Sequence, residues 1–359
     1  MLDAHRLVTR AQKCRAYQFC DGFDNYNSAA LMYESVSGTI TYGNAYRRFA
    51  PPAGLPGQGI SLPSGVAAYI QKTLASNQAT LIVKVAYQAQ STPGSQTAIL
   101  GVYDSGNNQV CLVMTASGAL QVWRGFEGFG GNVVIATTGP SAIAAGQWYG
   151  IECLFTISST VGVAQVWVNG AQVINATGLD TQFTSDSYSN QVRLWGDAAG
   201  AYFDDFRVWD STGSTQNAPT GVDSQLITKL PSGAGAVTGW TANGAAANWQ
   251  CVVDNPPDGD TTYVSASTAS TEDAYAMPSA GLSQTPIMVV ARSYVRTDSG
   301  THSLEIGVSS SGVTGFGATF TPSSTYAFIS SCIPDDPNTS APWTAAGADA
   351  AQHCKNELS

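Results

Sequence analysis

The carboxylates are the first side chains to test for chemistry in this sequence. Retaining hydrolysis of a glycosidic bond needs two carboxyl groups about 5 Å apart, a spacing that alternate residues of one strand can supply. Glu152 and Glu305 each stand alone, and Asp204 and Asp205 are adjacent, so their side chains point to opposite faces of a strand. The sequence therefore predicts no glycosidase site and a protein that is not an enzyme.

Asp204 has a structural interpretation. It shares the parity of Tyr202, Phe206 and Val208 in an apolar strand pattern, which predicts an inward carboxylate. A buried carboxylate needs hydrogen-bond donors, so we expect backbone or hydroxyl groups to satisfy it.

Other catalytic groups are scarce. The histidines, His5, His302 and His353, are too dispersed to support a catalytic triad. Adjacency of His353 and Cys354 in sequence does not give the spatial pairing that a thiol nucleophile needs. The glycine cluster at Phe126–Asn132 is followed by neither a lysine nor a helix pattern, so it predicts a loop tip and no phosphate site.

Tryptophans offer binding chemistry. Exposed indoles can form a platform for a sugar ring, and the alternative is ordinary packing within a sheet. Trp167 is the first residue to test because its strand pattern places it on a partly wetted face. The candidates are Trp123, Trp167, Trp195 and Trp209.

An acidic loop provides weak candidates for a metal. Asp254, Asp258 and Asp260 lie in an oxygen-rich loop with glycine, which suits calcium, although the spacing is not that of an EF-hand. The alternative is a solvated loop with no cofactor.

The N-terminal arm, residues 1–18, is basic within an acidic chain. Its charge suggests docking onto an acidic surface, or contact with the protein's own acidic body. The cationic side chains are Arg6, Arg10, Lys13 and Arg15.

Composition limits the remaining classes. The formal charge is −10 and the pI about 4.6, which disfavours nucleic acid as a partner. No apolar run is long enough for a membrane span, and no secretory signal is recognisable, so we expect synthesis in a cytoplasm. Seven cysteines without paired spacing suggest reduced, buried thiols, with a Cys14–Cys20 bridge as the alternative.

The stretch from Gln147 to Val173 sets the fold. Apolar residues alternate from Trp148 to Ile157, as in a half-buried strand, and Asn169-Gly170 predicts a type I′ hairpin turn. This turn pairs residue 168 with 171, 167 with 172, and 166 with 173. One face would carry Ala164, Val166, Val168, Ala171 and Val173, and the other Gln165, Trp167, Gln172 and Ile174.

Similar patterns predict about ten strands and no helix between residues 19 and 210, followed by a turn-rich linker at 211–222 and a second β-rich domain at 223–359. Strands are predicted at 80–87, 99–103, 110–114, 120–123, 192–195 and 201–210, with an irregular segment from about 27 to 64. In the second domain we predict strands at 223–230 and 325–332, a hairpin between 286–295 and 301–308, and a turn or short helix after Pro342. The fold class is all-β: a jelly-roll β-sandwich plus a second, smaller β-sandwich.

Four motifs of the first domain resemble the laminin G-like, concanavalin A-like jelly roll: FCDGFDNY, GQWYGIE, VWVNG and YFDDFRVWD, in that order. The resemblance covers roughly Phe19 to Asp210 and implies the same sandwich.

The second half resembles a unit that follows such jelly rolls in virion proteins of tailed bacteriophages. The matching segments are LPSGAGAVTGW, VVDNPPDGDTTYVSAST, DAYAM and APWTAAG, and the sequence departs from the pattern in its last residues, QHCKNELS. The resemblance implies a non-enzymatic virion protein on the tail or decorating the capsid, with other virion proteins and further copies of itself as partners. The alternative is a carbohydrate-binding adhesin module that recognises a host surface glycan.

Overall fold

The computed structural model describes residues 16–65, 67–125, 131–213 and 216–359. Within them the chain forms two compact units. The jelly-roll unit comprises Ala16–Ala50 and Gly57–Leu226, and the C-terminal unit comprises Pro51–Pro56 and Ile227–Ser359. The basic residues of the arm, Arg6, Arg10, Lys13 and Arg15, lie outside the described residues, as does Cys14.

The jelly-roll unit consists of strands joined mainly by short turns. They are β1 Tyr17–Asp21, β2 Ser35–Ser37, β3 Thr41–Gly43, β4 Gly59–Leu62, β5 Tyr69–Gln78, β6 Thr80–Ala89, β7 Gln96–Asp104, β8 Asn107–Thr115, β9 Leu120–Arg124, β10 Val133–Thr137, β11 Tyr149–Thr156, β12 Gly162–Val168, β13 Ala171–Leu179, β14 Ser189–Trp195 and β15 Ala201–Asp210. Short 3-10 helices lie at Ala29–Leu31 and Asn44–Tyr46.

These strands form two antiparallel sheets. The eight-stranded sheet has the order β13-β12-β11-β6-β15-β4-β3, with β1 also paired to β15. The seven-stranded sheet has the order β10-β9-β8-β7-β14-β5-β2. Both sheets contain neighbours that are distant in sequence, such as β6 beside β15 and β7 beside β14, as in a jelly roll, so the predicted all-β class and sandwich are confirmed.

The core alternation on β6 follows the prediction. Leu81, Val83, Val85 and Tyr87 are all buried. The other face of β6 is buried as well, because Ile82 packs with Trp209 and Ala16. β6 is thus covered on both faces, and it lies in the middle of its sheet, between β11 and β15.

The predicted hairpin is correct at its turn and wrong beyond it. Val168 pairs with Ala171 and Trp167 with Gln172, but Val166 pairs with Ile174 because a β-bulge adds Val173 to the second strand. Val173 is consequently exposed and Ile174 is buried, the reverse of the expected faces.

The segment predicted to be irregular contains β2, β3 and β4. In β4, Ile60 and Leu62 are completely buried. A Cβ at Gly59 would lie 2.0 Å from the Tyr46 carbonyl oxygen, so a glycine permits the close backbone approach that inserts this strand. The glycines and prolines of this segment therefore separate short strands and do not prevent strands from forming.

The C-terminal unit is also β-rich. Its strands are β16 Gly233–Thr238, β17 Thr241–Asn243, β18 Tyr263–Ser265, β19 Thr271–Ala276, β20 Val289–Val295, β21 Leu304–Ser310, β22 Val313–Phe320, β23 Ala327–Ile333, β24 Asp335–Asp336, β25 Ala341–Pro342 and β26 Gln352–Glu357. A 3-10 helix spans Asn248–Cys251, and helix α1 spans Ala345–Ala350. A five-stranded sheet has the order β16-β19-β26-β21-β22, and the other strands form the pairs β17-β18, β20-β23 and β24-β25.

Two predictions for this unit are corrected. Residues 223–230 form no strand, and β20 pairs with β23 while β21 pairs with β22 and β26, so the hairpin across residues 298–300 does not form. The last residues form β26, the central strand of the sheet. By contrast, β23 matches the predicted strand, and α1 is the short helix expected after Pro342. Trp343 is a core residue, 1% exposed, with its indole nitrogen donating to the Ile333 carbonyl at 2.8 Å.

No helix in the described part of the chain is long and apolar enough to cross a membrane.

Candidate functional site

A row of side chains crosses the outer face of the seven-stranded sheet. Pairing places Trp123 of β9 beside Cys111 of β8, then Gly101 of β7, Arg193 of β14 and Gln71 of β5. Their parity is opposite to that of a second row, which is completely buried and consists of Val122, Leu112, Leu100 and Leu194, because successive side chains alternate between the faces of a sheet. The row therefore lies on the face that points away from the sandwich core.

Arg193 is at the centre of an aromatic cluster on this face. Its guanidinium carbon lies 4.0 Å from the centroid of Tyr69, 4.3 Å from that of Tyr103 and 4.9 Å from that of Trp195. The Nε and Nη2 atoms donate to Gln71 Oε1 at 2.9 and 2.5 Å. These contacts hold the planar cation against three ring faces.

Tyr103 and Trp195 form the inner wall of this arginine–aromatic cluster. The Trp195 indole nitrogen donates to the Tyr103 hydroxyl at 3.2 Å, and burial raises the pKa of Tyr103 well above its usual value. Asn108 is 6% exposed, and neither amide atom makes a hydrogen bond of good geometry within the described residues. A Cβ at Gly101 would lie 2.7 Å from Asn108 Nδ2, so the glycine makes room for these side chains.

The outer part of the arginine–aromatic cluster is accessible. Arg193, Tyr69 and Trp123 are each partly exposed, and Trp123 packs against the buried residues of the cluster. This arrangement combines aromatic faces with a fixed cation, a combination suited to stacking on a ring and binding its polar substituents.

The four candidate tryptophans do not form one platform. Trp123 and Trp195 belong to the arginine–aromatic cluster, although Trp195 is only 5% exposed. Trp167 is half-buried on β12 of the other sheet, opposite Glu152. Trp209 is buried there and donates to the Ala218 carbonyl at 3.2 Å.

Glu152 has a structural role in the eight-stranded sheet. Its carboxylate is buried and accepts from the Thr220 backbone at 2.7 Å, the Thr220 hydroxyl at 2.9 Å and the Gly221 backbone at 2.9 Å. Lys84 on the neighbouring strand donates to Thr220 Oγ1 at 3.1 Å. Residues of the predicted linker, 211–222, are thereby held on the outer face of this sheet.

Asp204 is satisfied by backbone donors, as expected, but its predicted parity is wrong. Arg48 N donates to it at 2.9 Å and Asp205 N at 2.8 Å, and burial and the neighbouring Asp205 raise its pKa to about 9. Asp205 adopts a φ of +56° within a β-bulge, which reverses the alternation after it. Phe206 and Val208 therefore point into the core, on the face opposite to Asp204.

The acidic loop does not bring its three carboxylates to one point. Asp254 and Asp258 accept from the Thr262 hydroxyl at 2.8 and 3.1 Å, whereas Asp260 pairs with Arg296 at 2.9 Å. Within the ranges that the structure describes, no group of three His, Cys, Asp or Glu side chains is close enough to hold a metal. The predicted calcium site is therefore not formed by these residues.

The remaining sequence candidates lead to no site. His353 and Cys354 are successive residues of β26, so their side chains lie on opposite faces of the sheet. The tip of the glycine cluster, residues 126–130, lies outside the described residues.

Sequence reasoning missed Arg193, Tyr69 and Tyr103. A signal was present in β14, where Gln191, Arg193 and Trp195 alternate with apolar core residues. The parity of one strand identifies a polar and aromatic face, but it does not show that β5 and β7 lie beside it.

The described residues form a jelly-roll β-sandwich with a second β-rich unit. No protein-family model matches the chain, and no curated protein matches its sequence.

Several solved structures have similar folds. A carbohydrate-binding module, CBM66 from Bacillus subtilis, is 14% identical and aligns over 47% of this chain and 95% of its own, with a TM-score of 0.30. Galectin LEC-6 from Caenorhabditis elegans is 12% identical, with coverages of 42% and 94% and a TM-score of 0.30. Alginate lyase Aly36B is 11% identical, with coverages of 56% and 98% and a TM-score of 0.39. At these values the function has to be argued from the site itself.

Proposed function

We propose that the protein binds a carbohydrate at the arginine–aromatic cluster of the seven-stranded sheet and acts by binding rather than catalysis. The observation that carries this proposal is the position of Arg193, stacked on Tyr69, Tyr103 and Trp195 on an outer sheet face. Sugar rings stack on aromatic faces through their C–H groups, and a fixed guanidinium supplies directional donors for ring substituents.

The expected ligand carries a carboxylate. Within the described residues, Arg193 has no Asp or Glu within ion-pair distance, and its side-chain hydrogen bonds go to the neutral side-chain oxygen of Gln71. An arginine held in place without an acidic partner favours a planar anion, because the guanidinium fork matches carboxylate geometry. A uronic or sialic type of sugar has both the ring and the acid.

The positions of Glu152 and Asp204 support binding without catalysis. Glu152 and Asp204 are on the other sheet, and each is held by backbone donors. Neither is placed to act on a ligand at the arginine–aromatic cluster. A binding module needs no acid–base pair there.

The test is calorimetric titration of the full chain with acidic and neutral oligosaccharides of matched length. We expect the acidic series to bind and Arg193→Gln to lower its affinity by at least about tenfold, since a charge-assisted contact is lost. Trp123→Ala should also weaken binding. Trp167→Ala is the matched control and should bind like the wild type, because Trp167 lies on the other sheet.

Two outcomes would overturn the proposal. One is the absence of binding to any oligosaccharide at millimolar concentration, and the other is loss of binding in Trp167→Ala with Arg193→Gln unaffected. Equal affinity for neutral and acidic ligands would reject the acidic preference alone.

From the sequence resemblance to phage virion proteins, we further propose where this module is located. It would be an appendage of the tail or a decoration of the capsid, and it would display the jelly roll towards host glycans. The arm with Arg6, Arg10, Lys13 and Arg15, or an interface between copies, would attach it to the particle. Electron microscopy of particles that lack the chain should show a missing appendage or decoration. Unchanged particles would reject this location.

A further inference from the structure

A second cluster of reactive groups lies in the five-stranded sheet of the C-terminal unit. Asp273 on β19 pairs directly with Lys355 on β26, so both side chains are on one face of the sheet. Tyr275 follows on the same face, two residues further along β19. Asn248, the first residue of the 3-10 helix, reaches this face from outside the sheet and donates its Nδ2 to both carboxylate oxygens of Asp273 at 3.0 Å.

The environment of Lys355 disfavours a charged ammonium group. The residue is 7% exposed, and its Nζ lies 5.2 Å from the centroids of both Trp240 and Tyr275. Within the described residues no hydrogen bond or ion pair joins this nitrogen to a partner. Burial lowers the pKa of Lys355 to about 8, against the opposing effect of Asp273. A desolvated lysine of this kind spends part of its time as a neutral amine, which is a nucleophile.

Asp273 is positioned to carry a proton. It is completely buried, and it also accepts from the Tyr275 hydroxyl at 2.5 Å and the Gly239 backbone at 3.1 Å. The Asn248 amide nitrogen makes a further bond to the Trp240 carbonyl at 2.8 Å. The carboxylate and this carbonyl therefore fix the amide whose nitrogen would leave in an acyl transfer.

We propose that Lys355 and Asn248 form an intramolecular isopeptide bond, with Asp273 as the proton carrier. The neutral Nζ attacks Asn248 Cγ, the Nζ–Cγ bond forms, and the Cγ–Nδ2 bond breaks. A proton lost by Nζ passes through Asp273 to Nδ2, which leaves as ammonia. The atoms balance without an oxidant or any other reactant.

The surroundings favour this reaction over a stable, unreacted lysine. Trp240 and Tyr275 limit access of water to the amine. The amine and the Asn248 amide belong to the same folded unit, so their reaction is intramolecular and needs no bimolecular encounter. The product is a neutral secondary amide, which removes the cost of an unpaired buried ammonium. The reaction requires Nζ to move from the aromatic rings to the amide carbon, and the flexible four-carbon stem of lysine permits such movement.

Mass spectrometry of the full chain tests the proposal. Under denaturing conditions we expect the mass to be lower than that of the sequence by one ammonia. Proteolysis should yield a branched peptide that contains both Asn248 and Lys355, identified by its fragment ions. In Lys355→Met and Asn248→Ala the ammonia should be retained and the branched peptide lost, whereas the control Lys229→Met should behave like the wild type.

A wild-type chain whose measured mass equals that calculated from the sequence would overturn the proposal, and no variant is needed for this result. A mass loss that persists in Lys355→Met would also overturn it, because that loss would come from cyclisation of an asparagine with its own backbone. Asp273→Asn should abolish the branched peptide. If this variant formed the bond at the wild-type rate, Asp273 would have no role as proton carrier.

Discussion

Arg193 is fixed by three aromatic rings and a neutral amide. Such a cation keeps its donors oriented while retaining attraction for an incoming anion, because cation–π contacts do not neutralise the charge. The support beneath it is close-packed, since Tyr103 lies over Gly101 with a ring carbon 2.9 Å from the position of an added Cβ. Orientation of Arg193 therefore depends on Gly101, a strand partner that has no side chain.

Gly101→Ala tests this dependence. The new methyl group has to displace Tyr103 or Asn108, and overpacking of this kind costs about 1–3 kcal/mol of the free energy of unfolding. We expect a several-fold loss of affinity for the acidic oligosaccharide in calorimetric titration. Gly139→Ala is the matched control, because nothing lies within 4 Å of its added Cβ. Unchanged affinity in Gly101→Ala would show that the support beneath Arg193 can adapt.

His353 predicts a pH dependence of stability. Burial is the main cause that lowers its pKa from 6.5 to about 3, and the charge of an unreacted Lys355 acts in the same direction. The folded protein cannot take up a proton that the unfolded chain accepts below about pH 6.5. The contribution of His353 to stability is therefore complete above that pH and falls by about 1.4 kcal/mol per pH unit as the pH decreases towards 3.

Urea unfolding at pH 7, 6 and 5 measures this effect for the C-terminal unit. The wild type should lose stability over the range, and His353→Gln should lose clearly less, because glutamine does not titrate. Parallel pH profiles of the two proteins would contradict the assignment. Tryptophan fluorescence is a suitable probe, since Trp343 is buried in the core of this unit.

At the scale of elements, the segment around Thr220 acts as a structural cover of the eight-stranded sheet. Glu152 binds it through three donors, and removal of the buried carboxylate leaves those donors without their acceptor. We expect Glu152→Ala to lower the free energy of unfolding by about 3 kcal/mol. Denaturant unfolding at pH 7 measures the change.

The matched control is Glu34→Ala. Glu34 forms an exposed salt bridge of 2.7 Å with Lys72, and such pairs contribute about 0–1 kcal/mol. Equal effects of the two substitutions would show that Glu152 does not anchor the segment.

The elements also show how far a sequence determines this fold. The distribution of apolar residues identified β6, β11, β14, β15 and β23. The burial of a strand face requires apolar side chains within that strand, so the signal is local in the sequence. The bulges at Val173 and Asp205 could not be predicted. A bulge accommodates its extra residue by a change of backbone geometry, and the order of apolar and polar residues in the sequence does not reveal it. β26 was missed because QHCKNE reads as polar, although its sheet neighbours bury it.

Pairing between distant strands explains the missed site. Arg193 becomes a candidate only when β14 is placed between β5 and β7, which brings Tyr69 and Tyr103 to it from positions far away in sequence. The tryptophans were identifiable as a residue type, but their division between two sheets was not. Lys355 and Asp273 likewise meet only through the pairing of β19 with β26.

At the scale of the whole molecule, the formal charge of −10 opposes the approach of an acidic ligand, while Arg193 attracts it locally. The two effects act at different distances. Long-range repulsion affects the association rate and is screened beyond a Debye length of about 8 Å at physiological ionic strength. The contact with Arg193 mainly affects the dissociation rate.

We therefore expect the association rate of the acidic oligosaccharide to rise several-fold as salt is increased from about 10 mM to about 150 mM, because the Debye length shortens from about 30 Å to about 8 Å. The dissociation rate should rise as well, since screening weakens the partly exposed contact with Arg193. Stopped-flow measurements on the full chain separate the two rates, and a neutral oligosaccharide that binds the same face is the control without a charge effect. An association rate that falls with added salt would mean that local positive charge around Arg193, and not the net charge of the chain, controls the encounter.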